Sequence, residues 1–298
     1  MSTLPASVTI VEVGPRDGLQ NESAQISTDD KVAYVDRLSA AGLREIEVSA
    51  FVSPKWIPQL ADATDVFSRI VRKPGTRYSA LVPNMAGLER AITAGVTDVA
   101  IFAAASETFS RKNTNRGIDE SFEIYREVTD AAIAAGLRVR GYLSTAFACP
   151  FEGVIPVDRV IELSSRLLDL GVYEVAISDT IGTAHPGQVQ TLLAQLLLPL
   201  PSTRIALHFH DTRGMALANV LMALEFGIAT FDGSAGGLGG CPYAPGSTGN
   251  VATEDLLYMF DGLGIDTGVR IDRVSDAARA IAPQLTHPLS SRYTLARR

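Results

Sequence analysis

The chain has 298 residues, 46% of them hydrophobic, and 33 acidic against 26 basic side chains give it a formal charge of -7. That length suits one large α/β unit, since barrels of about 250 residues fold as single domains, and no apolar run reaches the roughly 18 to 20 residues a membrane-crossing helix needs. The acidic balance opposes broad binding to nucleic acid or anionic membranes, so an anionic ligand must be met by local basic groups.

Short β-branched or apolar runs recur along the chain, each followed by an amphipathic stretch of helical length. The first predicted strand, residues 8–13, runs into Gly14-Pro15-Arg16-Asp17-Gly18 and is followed by a helix over 29–41. The second, 45–51, carries Glu47 and Ser49 and precedes a helix over 56–72. Strands over 77–82 and 98–103 lead into helices over 84–94 and 119–135. A fifth strand over 138–144 precedes a helix over 158–170, and a sixth over 173–178 meets Asp179 before a helix over 186–197. The seventh, 204–210, holds His208 and His210 and is followed by a helix over 215–226; the eighth, 230–234, leads through a glycine-rich loop to a helix over 253–261. Several of these helices stop at a glycine, as at Gly42 and Gly171, where the chain needs a left-handed residue to leave the helix. Eight βα units without a linker or composition break predict an α/β fold, a (β/α)8 TIM barrel. A single domain over 1–298 is expected, with residues after about 262 as a short C-terminal helical extension. A doubly wound open sheet is the competing architecture.

Barrel chemistry gathers at the C-terminal ends of the strands. In the seventh strand, side chains two apart share a face, so Ala206, His208 and His210 point one way and Ile205, Leu207 and Phe209 the other. The apolar set should meet the helices and the two imidazoles the barrel interior. A pair of structural, hydrogen-bonded histidines is the bland alternative. Asp17 at the end of the first strand and Asn250 beyond the glycine loop would complete a mixed nitrogen and oxygen set. Such a set suits octahedral Mg2+ or Mn2+ better than a closed zinc site. Taken alone, Asp17 reads as a turn residue and Asn250 as a helix cap.

The stretch from Gly233 to Asn250 is dense in glycine, which is expected where backbone must approach a ligand closely or move, as a lid does. No Gly-Lys-Ser/Thr follows, so it is not a P-loop. Cys241 lies within it; a thiol with an ordinary pKa of about 8.5 is protonated at neutral pH and can donate a proton to a carbanion. Cys149 reads as structural. Two cysteines make no disulfide framework and lack zinc-finger spacing, which fits a reducing cytoplasm, and residues 1–8 show no targeting pattern.

Together, Val13-Gly14-Pro15-Arg16-Asp17-Gly18-Leu19-Gln20-Asn21-Glu22, Phe51-Val52-Ser53-Pro54-Lys55-Trp56, His208-Phe209-His210-Asp211-Thr212 and Gly237-Leu238-Gly239-Gly240-Cys241-Pro242-Tyr243 resemble the 3-hydroxy-3-methylglutaryl-CoA lyase family. The likeness runs from Val11 to about Gly268. It implies a lyase that cleaves (S)-3-hydroxy-3-methylglutaryl-CoA to acetyl-CoA and acetoacetate. It also implies metal binding by Asp17, His208, His210 and Asn250, and catalysis by Cys241, Arg16, Asp17, His208 and Glu47. Substrate contacts fall to Arg16, Gln20, Asn113 and Asp179. The expected partner is a small-molecule acyl-CoA, with no nucleic acid or membrane, and the expected assembly a homodimer. Departures from the family pattern are Arg213, where tyrosine is common in animal members, and small differences over Gly233–Gly236. The C-terminal region has no cysteine, so an inter-subunit thiol switch known in some relatives is not expected. Rival readings are a lyase for a related 3-substituted substrate, an acetyl-CoA-dependent Claisen-condensing synthase of the same superfamily and, more remotely, a metal-binding scaffold.

Overall fold

A computed structural model describes residues 4–240 and 249–297. Eight strands close into a parallel barrel: β1 (Thr9–Glu12), β2 (Glu45–Ala50), β3 (Arg77–Leu81), β4 (Asp98–Ala104), β5 (Arg138–Ser144), β8 (Val175–Asp179), β9 (Ile205–Phe209) and β10 (Thr230–Gly233). Two further short strands among the described residues, β6 (Ala148–Cys149) and β7 (Gly153–Val154), form a small antiparallel hairpin between β5 and β8. Barrel neighbours follow chain order and β10 pairs with β1 to close the ring. This is the (β/α)8 architecture expected from the repeat.

The outer ring holds α1 (Thr28–Ala40), α2 (Ala63–Arg69), α3 (Met85–Thr93), α5 (Ile118–Ala134), α6 (Val157–Asp169), α7 (Pro186–Leu196), α8 (Ala216–Leu224) and α9 (Thr253–Gly262). Two shells of apolar packing separate inside from outside. Ala50, Leu81, Ala100, Tyr142, Ala176 and Ala206 fill the barrel interior, whereas Ile205, Leu207 and Phe209 belong to the larger core between strands and helices. The alternation in β9 therefore sends His208 and His210 to the same side as Ala206.

Two helical stretches differ from the sequence expectation, while the expected C-terminal helical extension is present. The helix expected over 56–72 is a 3-10 turn at Pro58–Leu60 followed by the short α2, because Pro58 has no N–H to continue a helix through it. Between β4 and α5 an unforeseen α4 (Glu107–Thr114) starts where Ser106 Oγ accepts from Phe109 N and stops at Asn115 with φ of 58°. After α9 come α10 (Ile271–Ile281), packed against α1, and α11 (Arg292–Ala296). The segment between them folds back over the barrel mouth: Thr286 donates to Glu22 Oε2 through both its N–H and its hydroxyl, and Ser290 N donates to the carbonyl of Gly236.

Candidate active site

The site begins with a tight turn at the end of β1. The backbone N–H groups of Arg16, Asp17 and Gly18 all point at the carbonyl of Val13, at 3.2, 2.7 and 3.2 Å, which throws the Arg16 and Asp17 side chains over the barrel mouth. Beneath the turn, Glu12 Oε1 accepts from Gly14 N and Ala235 N and Oε2 from Thr253 Oγ1, so one carboxylate ties the turn to both flanks of the glycine loop. Burial pushes Glu12 up to about 8 despite these hydrogen bonds.

Arg16 is buried and lies between two carboxylates, with Nη1 2.6 Å from Asp17 Oδ1 and Nη2 2.8 Å from Glu47 Oε2. Its cationic form is favoured beyond the ordinary range, because Glu47 and Asp17 outweigh the desolvation that opposes charge. Asp17 also accepts from Gln20 Nε2 at 3.1 Å and Asn250 Nδ2 at 2.8 Å. Burial pushes its carboxyl up, but Arg16, His208, His210 and Asn250 together bring it down to about 2. It is a carboxylate at any working pH.

Asp17, His208 and His210 each offer one ligand atom, and these atoms lie within 4.8 Å of one another. The imidazole centroids are 5.2 Å apart. Burial and the neighbouring His208 lower His210 to about 4, so its ring is neutral and carries a free lone pair. Asn250 arrives from the far side of the glycine loop because the chain there bridges to the end of β9: Asp211 N donates to Gly249 O and Val251 N to Phe209 O. Gly239 makes room for it, since φ is 121° and a Cβ would sit 2.6 Å from Asn250 Nδ2.

These residues fit a bound cation. Asn250 Nδ2 donates to Asp17 and to the carbonyl of Leu238, while Asn250 Oδ1 and His210 Nδ1 are buried without a partner among the described residues. Orphaned buried polar atoms of this kind are rare unless something else satisfies them. A carboxylate, two imidazoles and an amide oxygen form the mixed donor set of an open divalent site.

A cavity of about 640 Å³ opens from this cluster. Arg16, Asp17, Gln20, His208 and His210 line its depth with Tyr142, and Trp56, Lys112, Asn113 and Arg116 line its outer part. The structure thus gathers Arg16, Asp17, Gln20, Asn113, His208 and His210 on one cavity. Glu47 stands behind Arg16, off the lining, with Tyr142 OH donating to it at 3.0 Å. Asp179 is also off the lining; its carboxylate accepts from Thr183 N and Ala184 N of the following turn, and burial raises its pKa. Cys241 lies outside the described residues, next to Gly240, which does line the cavity. Cys149 is buried in the outer core.

Sequence reasoning missed Asp232, whose Oδ2 lies 3.1 Å from His208 Nδ1, and the cations Lys112 and Arg116 at the mouth. For Asp232 the available signal was a carboxylate inside a predicted strand of the barrel. Lys112 had none, because α4 itself was not foreseen.

The HMGL-like family model matches residues 7–281. A hydroxymethylglutaryl-CoA lyase of Bacillus subtilis is 52% identical over 97% of this chain and 96% of its own. A crystal structure of HMG-CoA lyase from Bacillus subtilis superposes with a TM-score of 0.96 at 51% identity, covering 98% of both chains. An HMG-CoA lyase of Acinetobacter baumannii, solved with coenzyme A and 3-methylmalate, gives 0.94 at 37% identity, covering 100% of this chain and 97% of that one. A family match over most of the chain and near-complete coverage of such relatives agree with the barrel and the residues at its mouth: the chain belongs to the HMGL-like family, among the hydroxymethylglutaryl-CoA lyases.

Proposed function

We propose that this protein cleaves (S)-3-hydroxy-3-methylglutaryl-CoA to acetyl-CoA and acetoacetate with the help of Mg2+ or Mn2+. The observation that carries the reading is the meeting of Asp17 from β1 with His208 and His210 from β9 at the head of a cavity large enough for an acyl chain. A divalent cation held there supplies Lewis acidity, which makes a tertiary hydroxyl easier to deprotonate and steadies the oxygens of substrate and product.

The reaction removes the proton from the C3 hydroxyl, breaks the C2–C3 bond as the C3 oxygen becomes a ketone, and leaves the electron pair on the thioester enolate, which takes a proton at C2. Arg16 faces the cavity as a permanent, pre-aimed cation and stabilises the negative charge that develops on the thioester oxygen. Glu47 and Tyr142 hold Arg16 in that pose. Asp17, an ionised ligand paired with Arg16, is a poor proton acceptor, and Glu47 lies behind Arg16 off the cavity lining, so the C3 proton passes to a water. Cys241 gives the final proton to C2, while His208 serves as a ligand. Asp179 shapes the turn before α7 and acts on the substrate only through that turn.

The Acinetobacter relative binds coenzyme A, and the same ligand would leave this cavity past Trp56 and Asn113, where Lys112 and Arg116 offer charge to its phosphates. These cations answer the problem an anionic substrate poses to an acidic protein. We read the whole chain as one catalytic domain that works as a homodimer in the cytoplasm. No described helix is long and apolar enough to cross a membrane. The reading is tested by following both products from purified protein. Acetoacetate and acetyl-CoA should appear in equal amounts, stop with chelator and resume with Mg2+ or Mn2+; absence of acetoacetate would refute it.

A further inference from the structure

We propose that Asp232 is a positioning residue of the metal centre, which fixes the tautomer of His208 and so presets one of the two histidine ligands before a cation arrives. The inference rests on Asp17, His208 and His210 holding that cation. β10 runs parallel to β9 with Asp232 in register beside His208, and Asp232 Oδ2 sits 3.1 Å from His208 Nδ1. Arg140 grips the same carboxylate from the other side, with Nη2 2.8 Å from Oδ1 and Nη1 3.2 Å from Oδ2. Anchored by a guanidinium, Asp232 can only accept from the imidazole. The ring proton therefore resides on Nδ1, and the Nε2 lone pair is left for a metal ion.

Arg140 is itself fixed, by Glu174 at its Nε and by Tyr142 OH at its Nη1, both at 2.9 Å. Tyr142 passes its own proton toward Glu47, which accepts from Arg16. One buried chain of polar contacts thus runs from His208 round the barrel interior to Arg16 and Asp17. His210 has nothing comparable: its Nδ1 is buried with no partner among the described residues. The two histidines of the strand are unequal, one set by the protein and the other by whatever it binds.

The test reads the tautomer directly, by long-range proton–nitrogen correlation on the ¹⁵N-labelled full chain at mildly alkaline pH, first with chelator and then with Mg2+. His208 should carry its proton on Nδ1 in both samples. A metal-free parent with the proton on Nε2, or divided between the nitrogens, would overturn the proposal. Asp232→Asn presents an amide that can donate to Nδ1 and reverse the tautomer. Its affinity for Mg2+ by calorimetry should fall about 10- to 100-fold, as for other outer partners of metal-bound imidazoles; parental affinity would equally overturn the proposal. The spectrum needs only the parent chain, so it decides the matter even where Asp232→Asn does not fold. A parent that binds no Mg2+ while His208 keeps its Nδ1 proton would sink the metal reading and this inference with it. A wrong tautomer in a chain that binds Mg2+ sinks this inference alone.

Discussion

Arg16 holds two carboxylates apart and one of them, Asp17, in its ionised state. Lysine at this position is a compact point charge that cannot reach Asp17 and Glu47 with a planar fork. Arg16→Lys should therefore lower kcat by about 100-fold, the usual cost of removing a donor aimed at developing charge, while the far-ultraviolet spectrum stays parental. His210→Ala removes a proposed ligand itself, so its loss of Mg2+ affinity by calorimetry should exceed the roughly 10- to 100-fold typical of outer partners. A variant that binds as tightly as the parent would dismiss His210 from the centre. Cys241→Ala should lose most turnover yet keep its metal, checked by stoichiometric metal analysis beside the product assay. At this scale the sequence was informative wherever one strand's own period decides the matter, as it does for His208 and His210. Asp232 escaped notice because its meaning depends on which residue of the next strand lies beside it, and register between strands is a property of the closed barrel.

Among the elements, α4 was hardest to foresee and bears most on ligand binding. Its eight residues, Glu107–Thr114, carry no apolar period; the helix exists because Ser106 caps it, Glu107 pairs with Arg111 and Asn115 ends it in the left-handed region. It carries Lys112 and Asn113 to the cavity mouth. Ser106→Ala should cost about 1 kcal/mol, as lost caps do, and because the damage falls on this helix it should raise KM for the acyl-CoA more than it lowers kcat. Steady-state kinetics with a thermal melt separates this from a general loss of fold. The eight barrel strands, in contrast, were legible to within a few residues, since short β-branched and apolar stretches recur between amphipathic stretches of helical length. The expected helix over 56–72 is shorter at both ends: Pro58 opens a 3-10 turn before it, and α2 runs only from Ala63 to Arg69.

Across the whole molecule, the closing strand pair brings the two ends of the chain together, and the cost is two carboxylates sealed beneath the glycine loop. Burial lifts Glu12 to about 8 and Glu254 to about 7 from an ordinary value of 4.5. The folded state therefore holds these protons more tightly than the unfolded chain does. Their contribution to stability is fully present below about pH 4.5 and is lost as pH rises through 7 to 8. Asp17 works in the opposite sense at acid pH, its contribution present above 3.8 and lost as pH falls through about 2. Melting temperature should thus decline from mildly acidic to mildly alkaline solution, and Glu12→Gln, which keeps a side chain of the same shape without the charge, should flatten that decline. An equally steep profile would assign the loss elsewhere. Beyond α9, patterning predicted only a short extension. That α10 packs on α1 and that the segment after it grips Glu22 and Gly236 follows from contacts between distant parts of the chain. The account as a whole depends on one place for one ion, and anomalous scattering from crystals grown with Mn2+ locates it. The peak should fall among Asp17, His208 and His210; a peak elsewhere, or none at saturating Mn2+, would contradict the account.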